Sequence, residues 1–182
     1  MRGERFPWAA VLFISGAVLL LDQATKAWVL RTMPGNPPLT VIPGFFDLTL
    51  GRNTGGVFGL FSGAPSAARK ALFVGVTAGA LVLLAKLLRQ WGRESRLALV
   101  ALSLVAGGAL GNLVDRLRFG SVVDFIDWYW GSYHWYTFNV ADAAITAGAA
   151  LLLLHSLAHG RGSHAAGGDP AGAGRPGDAR EG

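Results

Sequence analysis

FNVADAAITAGAALLLLHSL, residues 138–157, opens with an asparagine and an aspartate and then runs apolar to its end. An α-helix needs about 20 mostly apolar residues to cross a bilayer, so the stretch reads as a membrane span from Val140 to Leu157. A carboxylate at the mouth of such a helix is costly unless something uses it. Asn139 suits the N-cap, and Asp142 then falls at N3, where an acid favours the positive end of the helix dipole. Capping explains this pair locally. It leaves open why other polar residues gather at the same end of the chain's apolar segments.

Three further segments read as spans: about Trp8 to Leu30, Ala71 to Leu88, and Leu97 to Val114. The 182 residues are 52% hydrophobic and only 15% charged, and the mean hydropathy is +0.41. A soluble domain carries roughly 25% charged residues, so this composition is that of a membrane protein. The absence of cysteine excludes disulfides, thiolate metal sites and a cysteine nucleophile. The net charge of +5 and pI near 10.2 come from residues scattered beside apolar runs. They read as topology signals, with no nucleic-acid partner expected.

Four spans put both termini on one side. Arg2, Arg5, the dense Lys86–Arg96 cluster, and Arg161, Arg175 and Arg180 place that side in the cytoplasm by the positive-inside rule. The longer connections, about 31–70 and 115–138, then lie outside. The first span continues through DQATKAWVL with no A-x-A-like site, so it reads as retained and not as a cleaved signal peptide. LTVIPGFFDLTLGRNTGGVFGLF, in the first outer connection, is rich in Val, Ile, Phe and Thr between turn residues and predicts two or three short strands. The aromatic run DFIDWYWGSYHWYTF, in the second, predicts a segment on the membrane surface, read as a short interfacial helix. Residues 1–160 therefore form the membrane domain. Residues 161–182 are Gly, Ala and Pro with mixed charge and predict a disordered cytoplasmic tail.

Several polar residues stand where lipid-facing side chains are expected. Asp22 and Lys26 are i, i+4 in the first span. They form an ion pair, with Lys26 snorkelling to the surface, or they brace a site inside the bundle. Asn112 and Arg116 share a face at the end of the third span with Asp115 beside them, and together offer several donors to a peptide carbonyl or a lipid head group. Asp124 lies between Val123 and Phe125, and apolar flanks disfavour its ionised form. Asp127, three residues on, reads as solvated. With Asn53, these groups converge on one rim. Two neighbouring carboxylates hold one proton between them, so one can take a proton from water while the other donates to a scissile group. There is no H-E-x-x-H, G-x-S-x-G or Walker loop. No histidine but His134 is near either aspartate in sequence, so neither a metal nor another cofactor is expected.

The residues DQATKAWV (22–29), NTGGVFGLF (53–61), GALGNLVDR (108–116), VVDFID (122–127) and FNVAD (138–142) resemble, in order, those of the signal peptidase II family, the bacterial aspartyl proteases that cleave prolipoproteins. The resemblance implies catalytic aspartates at Asp124 and Asp142. It implies that Asn53, Gly55, Asn112, Arg116 and Asn139 line or support the site, and that Asp22, Lys26 and Asp115 stabilise it. It also implies a diacylglyceryl-modified prolipoprotein substrate, cut on the amino side of the lipidated cysteine. Four helices, a small extracytoplasmic β-cradle and a surface helix are the fold it implies. The expected form is a monomer in the bacterial inner membrane with its site at the outer face. Gly56-Val57 stand where the family commonly has Ala-Ala, and Ala143 where serine is common. Neither change removes a polar group that the chemistry needs. Two rival readings are a small ion-coupled transporter using Asp22, Lys26 and Asp142, and a non-catalytic assembly protein. A Ser–Lys protease built on Lys26 lacks an evident serine partner.

Overall fold

A computed structural model of the chain describes residues 6–54, 66–93 and 95–164, the side chains of Ser66 and 158–164 excepted. It holds four long helices: α1 (Trp8–Thr32), α2 (Ser66–Trp91), α3 (Arg96–Phe119) and α4 (Val140–His164). All four are long and apolar enough to cross a membrane. Each runs a few residues past its expected span, and α4 reaches four residues beyond the expected start of the tail. Residues 165–182 lie outside the described residues.

The helix ends follow local chemistry. Pro7, whose fixed φ suits a helix start, precedes α1. Ser95 caps α3 by accepting from the Ala98 N–H at 3.2 Å. Gly120 ends α3 in the left-handed region, at φ 71°, with its N–H on the Arg116 carbonyl at 3.0 Å. That position favours a residue without Cβ.

Four strands form one antiparallel sheet in the order β1 (Leu39–Ile42), β2 (Phe46–Asn53), β3 (Val122–Trp130) and β4 (Tyr133–His134). The sheet sits at one end of the bundle, where α1 and α3 finish and α4 begins. Central β2–β3 pairing sets Gly51 opposite Asp124 and Asn53 opposite Val122. The strands expected in the first connection are present. The interfacial helix expected in the second is not: its aromatic run is β3 and β4. Tyr129 pairs with His134 and Trp130 with Tyr133 across a turn at Gly131, φ 61°. Aromatic and β-branched residues fit a pleated ladder, and the open edge of β2 supplies the partner strand that turns the run into a sheet.

α3 is the central helix, packed on α1, α2 and α4. Val11, Leu84, Leu88, Leu99 and Leu102 form the core between α1, α2 and α3. Val29, Met33 and Phe125 join α1 to the sheet. Apolar side chains also cover the outside: Phe13 is 77% and Leu20 72% exposed, as a lipid-facing surface requires. With lipid outside, apolar burial gives helices little reason to associate, and close backbone approach through small residues takes its place. At Gly148 of α4, an added Cβ would lie 2.6 Å from both the Ala101 carbonyl oxygen and Val105 Cγ2 of α3.

Gly148→Val is therefore expected to lower stability by about 1–3 kcal/mol, the usual cost of overpacking. Gly79→Ala, on α2, should lower it little if at all, since a Cβ added there would meet nothing within 4 Å. Thermal unfolding in detergent checks the contrast, and equal midpoints for the two variants would contradict it.

Candidate active site

Lys26 is the centre of the polar end. It does not snorkel: its side chain is 2% exposed, and its ammonium points into the bundle. Nζ lies 2.9 Å from Asp22 Oδ2 and 3.0 Å from Asp115 Oδ2, and donates to Asn112 Oδ1 at 3.1 Å. Three donors thus meet three acceptors, which removes the reason to reach for water. The two carboxylates have further partners. Asp22 Oδ1 accepts the Ala141 N–H at 2.9 Å, at the start of α4. Asp115 Oδ2 accepts the Val123 N–H at 3.0 Å, one residue before Asp124 on β3. α1, α3, β3 and α4 are tied together at this point.

The tight fit between α3 and α1 lets this happen. A Cβ at Gly111 would meet Asp22 Oδ2 at 2.5 Å, so only glycine leaves room for the carboxylate. Gln23 completes the cluster, with Nε2 2.9 Å from Asp115 Oδ1, 3.1 Å from Asp22 Oδ2 and 3.2 Å from the Gly111 carbonyl. Sequence reasoning assigns Gln23 no role. Its one signal is spacing: it stands three residues before Lys26, on the same side of α1.

Two amides extend from this cluster to the aspartates on the rim. Asn112 Nδ2 donates to Asp142 Oδ1 at 2.7 Å. Asn139 Nδ2 lies 2.7 Å from Asp124 Oδ1 and 3.3 Å from both Asn112 Oδ1 and the Val123 carbonyl. Asn139 is also the cap expected of it: its Oδ1 accepts the Asp142 N–H at 2.9 Å, while its own N–H donates to Asp142 Oδ2 at 3.3 Å. This reciprocal capping box fixes Asp142 at N3. Asn53, at the end of β2, hydrogen-bonds the Asp124 side chain.

Asp124 is buried, and burial raises its carboxyl to about 6, with the Asp142 carboxylate adding to the rise. Hydrogen bonds from Asn139 and Asn53, and the Lys26 charge, act in the opposite direction. A cleft of about 520 Å³ opens beside Asp142, which is its polar end, with Trp128, Trp135, Phe138, Ala143 and Ala147 along its apolar walls.

The structure thus brings together Asp22, Lys26, Asn53, Asn112, Asp115, Asp124, Asn139 and Asp142. Arg116 stands at the margin, with its guanidinium over the Phe73 ring, 5.1 Å from the centroid, and Nη1 3.4 Å from the Asn112 carbonyl. Gly55 lies outside the described residues. Asp127 is on the opposite face of β3, 2.9 Å from His134 Nδ1 across the hairpin. It is a strand residue, not part of a surface helix. The described polar groups around Lys26 cluster at one end of the bundle and do not form a path across it, which removes the support for a transporter reading.

A family model described as Signal peptidase (SPase) II matches residues 14–158. A lipoprotein signal peptidase of Syntrophotalea carbinolica is 46% identical over 144 residues, 79% of this chain and 88% of that protein. Its counterpart in Syntrophus aciditrophicus is 44% identical over 151 residues, 83% of this chain and 94% of the other. A solved bacterial membrane enzyme superposes with a TM-score of 0.76 at 29% identity, covering 93% of this chain and 98% of its own.

Removing Lys26 strands two buried carboxylates, and breaking a buried ion pair from one side costs about 3–5 kcal/mol. Lys26→Met should therefore destabilise strongly. Adding Asp22→Asn and Asp115→Asn to it should restore part of the loss, since no uncompensated charge then remains. Denaturation in detergent measures both, and a Lys26→Met protein as stable as the parent would contradict the central placement of this side chain.

Proposed function

The chain belongs to the signal peptidase II family, and from that premise we propose that it is an aspartic endopeptidase acting on diacylglyceryl-modified prolipoproteins. It cuts the signal peptide on the amino side of the lipidated cysteine. Asp124 and Asp142 are the catalytic pair. The observation that carries this reading is the convergence of two carboxylates from different elements, β3 and α4, on one buried set of donors beside an apolar cleft.

The chemistry follows from one proton shared by two acids. The ionised carboxylate takes a proton from water as the water oxygen attacks the scissile carbonyl. The protonated partner donates to the carbonyl oxygen. As the tetrahedral intermediate collapses, the acid that took the water proton passes it to the leaving amide nitrogen, the C–N bond breaks, and the other carboxylate takes back the proton it gave to the carbonyl oxygen. Burial raises the Asp124 carboxyl to about 6, so the pair keeps its shared proton to a higher pH than a solvated carboxylate would. Asn112 and Asn139 orient the carboxylates, and Arg116 at the margin offers a planar set of donors to the substrate's backbone or head group. The cleft along α4 suits a substrate whose acyl chains remain in lipid.

The enzyme resides in the bacterial inner membrane with both termini cytoplasmic and the sheet end at the outer face. Support for this orientation comes from the basic cluster between α2 and α3. Residues after His164 lie on the cytoplasmic side and take no part in the chemistry, and the protein acts as a monomer.

Cleavage of a synthetic diacylglyceryl prolipopeptide by the purified protein tests the reading. Asp124→Asn and Asp142→Asn should each lose about 10²-fold or more in rate, the usual contribution of a general acid or base, while unfolding near the parent's temperature. Asp127→Asn should cleave at close to the parent's rate. Near-normal cleavage by the Asp142→Asn protein would reduce that residue to a helix cap.

The pH dependence has a definite sign. The acid form of Asp124 is lost as pH rises through about 6, so the rate should fall on the alkaline side of that value. Asn53 donates to the ionised form, and Asn53→Ala should move this limb to higher pH. The limb belongs to the coupled pair and not to one residue. A limb that stays in place, or moves down, would contradict the Asn53–Asp124 contact.

A further inference from the structure

A second cavity lies apart from the aspartates, between the start of α2 and the end of α3. It encloses about 390 Å³ and is lined by Thr54, Arg69, Lys70, Arg118, Phe119 and Ser121. Three of these side chains are cationic, and no described residue lining it is acidic. A fourth cation stands beside it. Arg52 lies over the Phe119 ring at 5.1 Å from the centroid, and Arg118 over the same ring at 4.9 Å. Lys70 Nζ donates to the Leu117 carbonyl at 2.7 Å, which commits one of its three protons.

Cations in the last turn of α3 complement the negative end of its dipole, and that accounts for Arg118. It does not account for Arg69 and Lys70 together. They stand at the start of α2, whose first turn holds no acid, where the dipole disfavours positive charge. Three cations line this space and a fourth stands beside it, with no acid among the described lining residues, so its field favours an anion. The positive-inside rule gives no reason for such a cluster at the proposed outer face. The position is at the end of the spans, the level of lipid phosphates.

We propose that this cavity binds the phosphate of an anionic phospholipid headgroup. Guanidinium forks match phosphate oxygens in pairs, and the lysine adds a point charge. Thr54 is within the lining, and Phe119, 38% exposed, offers an apolar surface to the glycerol and upper acyl chain. The inference rests on the proposed placement of the sheet end at the outer membrane surface, and not on the aspartate chemistry.

Native mass spectrometry of the full chain in detergent, with added phosphatidylglycerol or phosphatidylcholine, tests it directly. The parent protein should retain phosphatidylglycerol at least about tenfold better, and Arg69→Gln/Lys70→Gln/Arg118→Gln should lose that preference. Arg93→Gln, at the other end of the bundle, should keep it. Equal retention of the two lipids by the parent protein would overturn the proposal without any variant. So would an unchanged preference in the triple variant, or displacement of the lipid by millimolar inorganic phosphate, which would identify the ligand as the free ion. Cleavage of the lipopeptide in detergent is a separate readout and should be unchanged in the triple variant. Its failure in the parent would bear on the aspartate reading alone.

Discussion

A lysine ammonium held away from lipid and water between two carboxylates is the constraint on which the rest of this structure depends. An uncompensated charge at that depth costs several kcal/mol, so Lys26, Asp22 and Asp115 must stay together or be removed together. Each carboxylate then spends its remaining valence on a different element. Asp22 takes an N–H from the first turn of α4, and Asp115 takes one from β3. The ion cluster is therefore also a joint. It fixes the angle at which the chain leaves α3 for the sheet and re-enters the bundle as α4.

That joint decides where the two rim aspartates lie. Asp124 is one residue beyond the backbone N–H that Asp115 holds, and Asp142 is one residue beyond the N–H that Asp22 holds. Asn112, bonded to Lys26, and Asn139, bonded to Asn112, carry the same geometry outward to their carboxyl groups. Orientation by a chain of satisfied polar groups costs nothing further at the moment of reaction. Asp142 thus has two tasks. It completes the capping box of α4, and it presents a carboxylate to the cleft. The basic cavity on the far side of Asn53 belongs to the same rim but follows a different logic, that of attraction to the membrane surface.

Much of this is legible in the chain. Four apolar runs specify the spans, because length and hydropathy are all a span requires. The i, i+3 spacing of Asn139 and Asp142 specifies the cap, because capping is local. Asp22 and Lys26 can be paired by spacing alone, but the direction in which Lys26 points cannot be read that way. Asp115 is 89 residues away in sequence and decides it. Gln23 is hidden for the same reason, since two of its three acceptors, the Gly111 carbonyl and Asp115, lie on α3. The aromatic run reads as a surface helix because its composition fits a membrane interface in either conformation. Only the presence of β2 as a neighbouring strand selects the extended form. Arg116 is expected at the site and stands at its margin, drawn toward Phe73 on α2, a contact no local pattern announces.

The claim that Asp124 and Asp142 act as one unit around one water is tested most directly by comparing three cleavage rates: Asp124→Asn, Asp142→Asn, and the protein carrying both. Groups that share a single step do not add, so the double variant should be no slower than the slower of the two single variants. A double variant slower by the product of the two single losses would mean that the aspartates contribute independently, and the shared-proton account would fail.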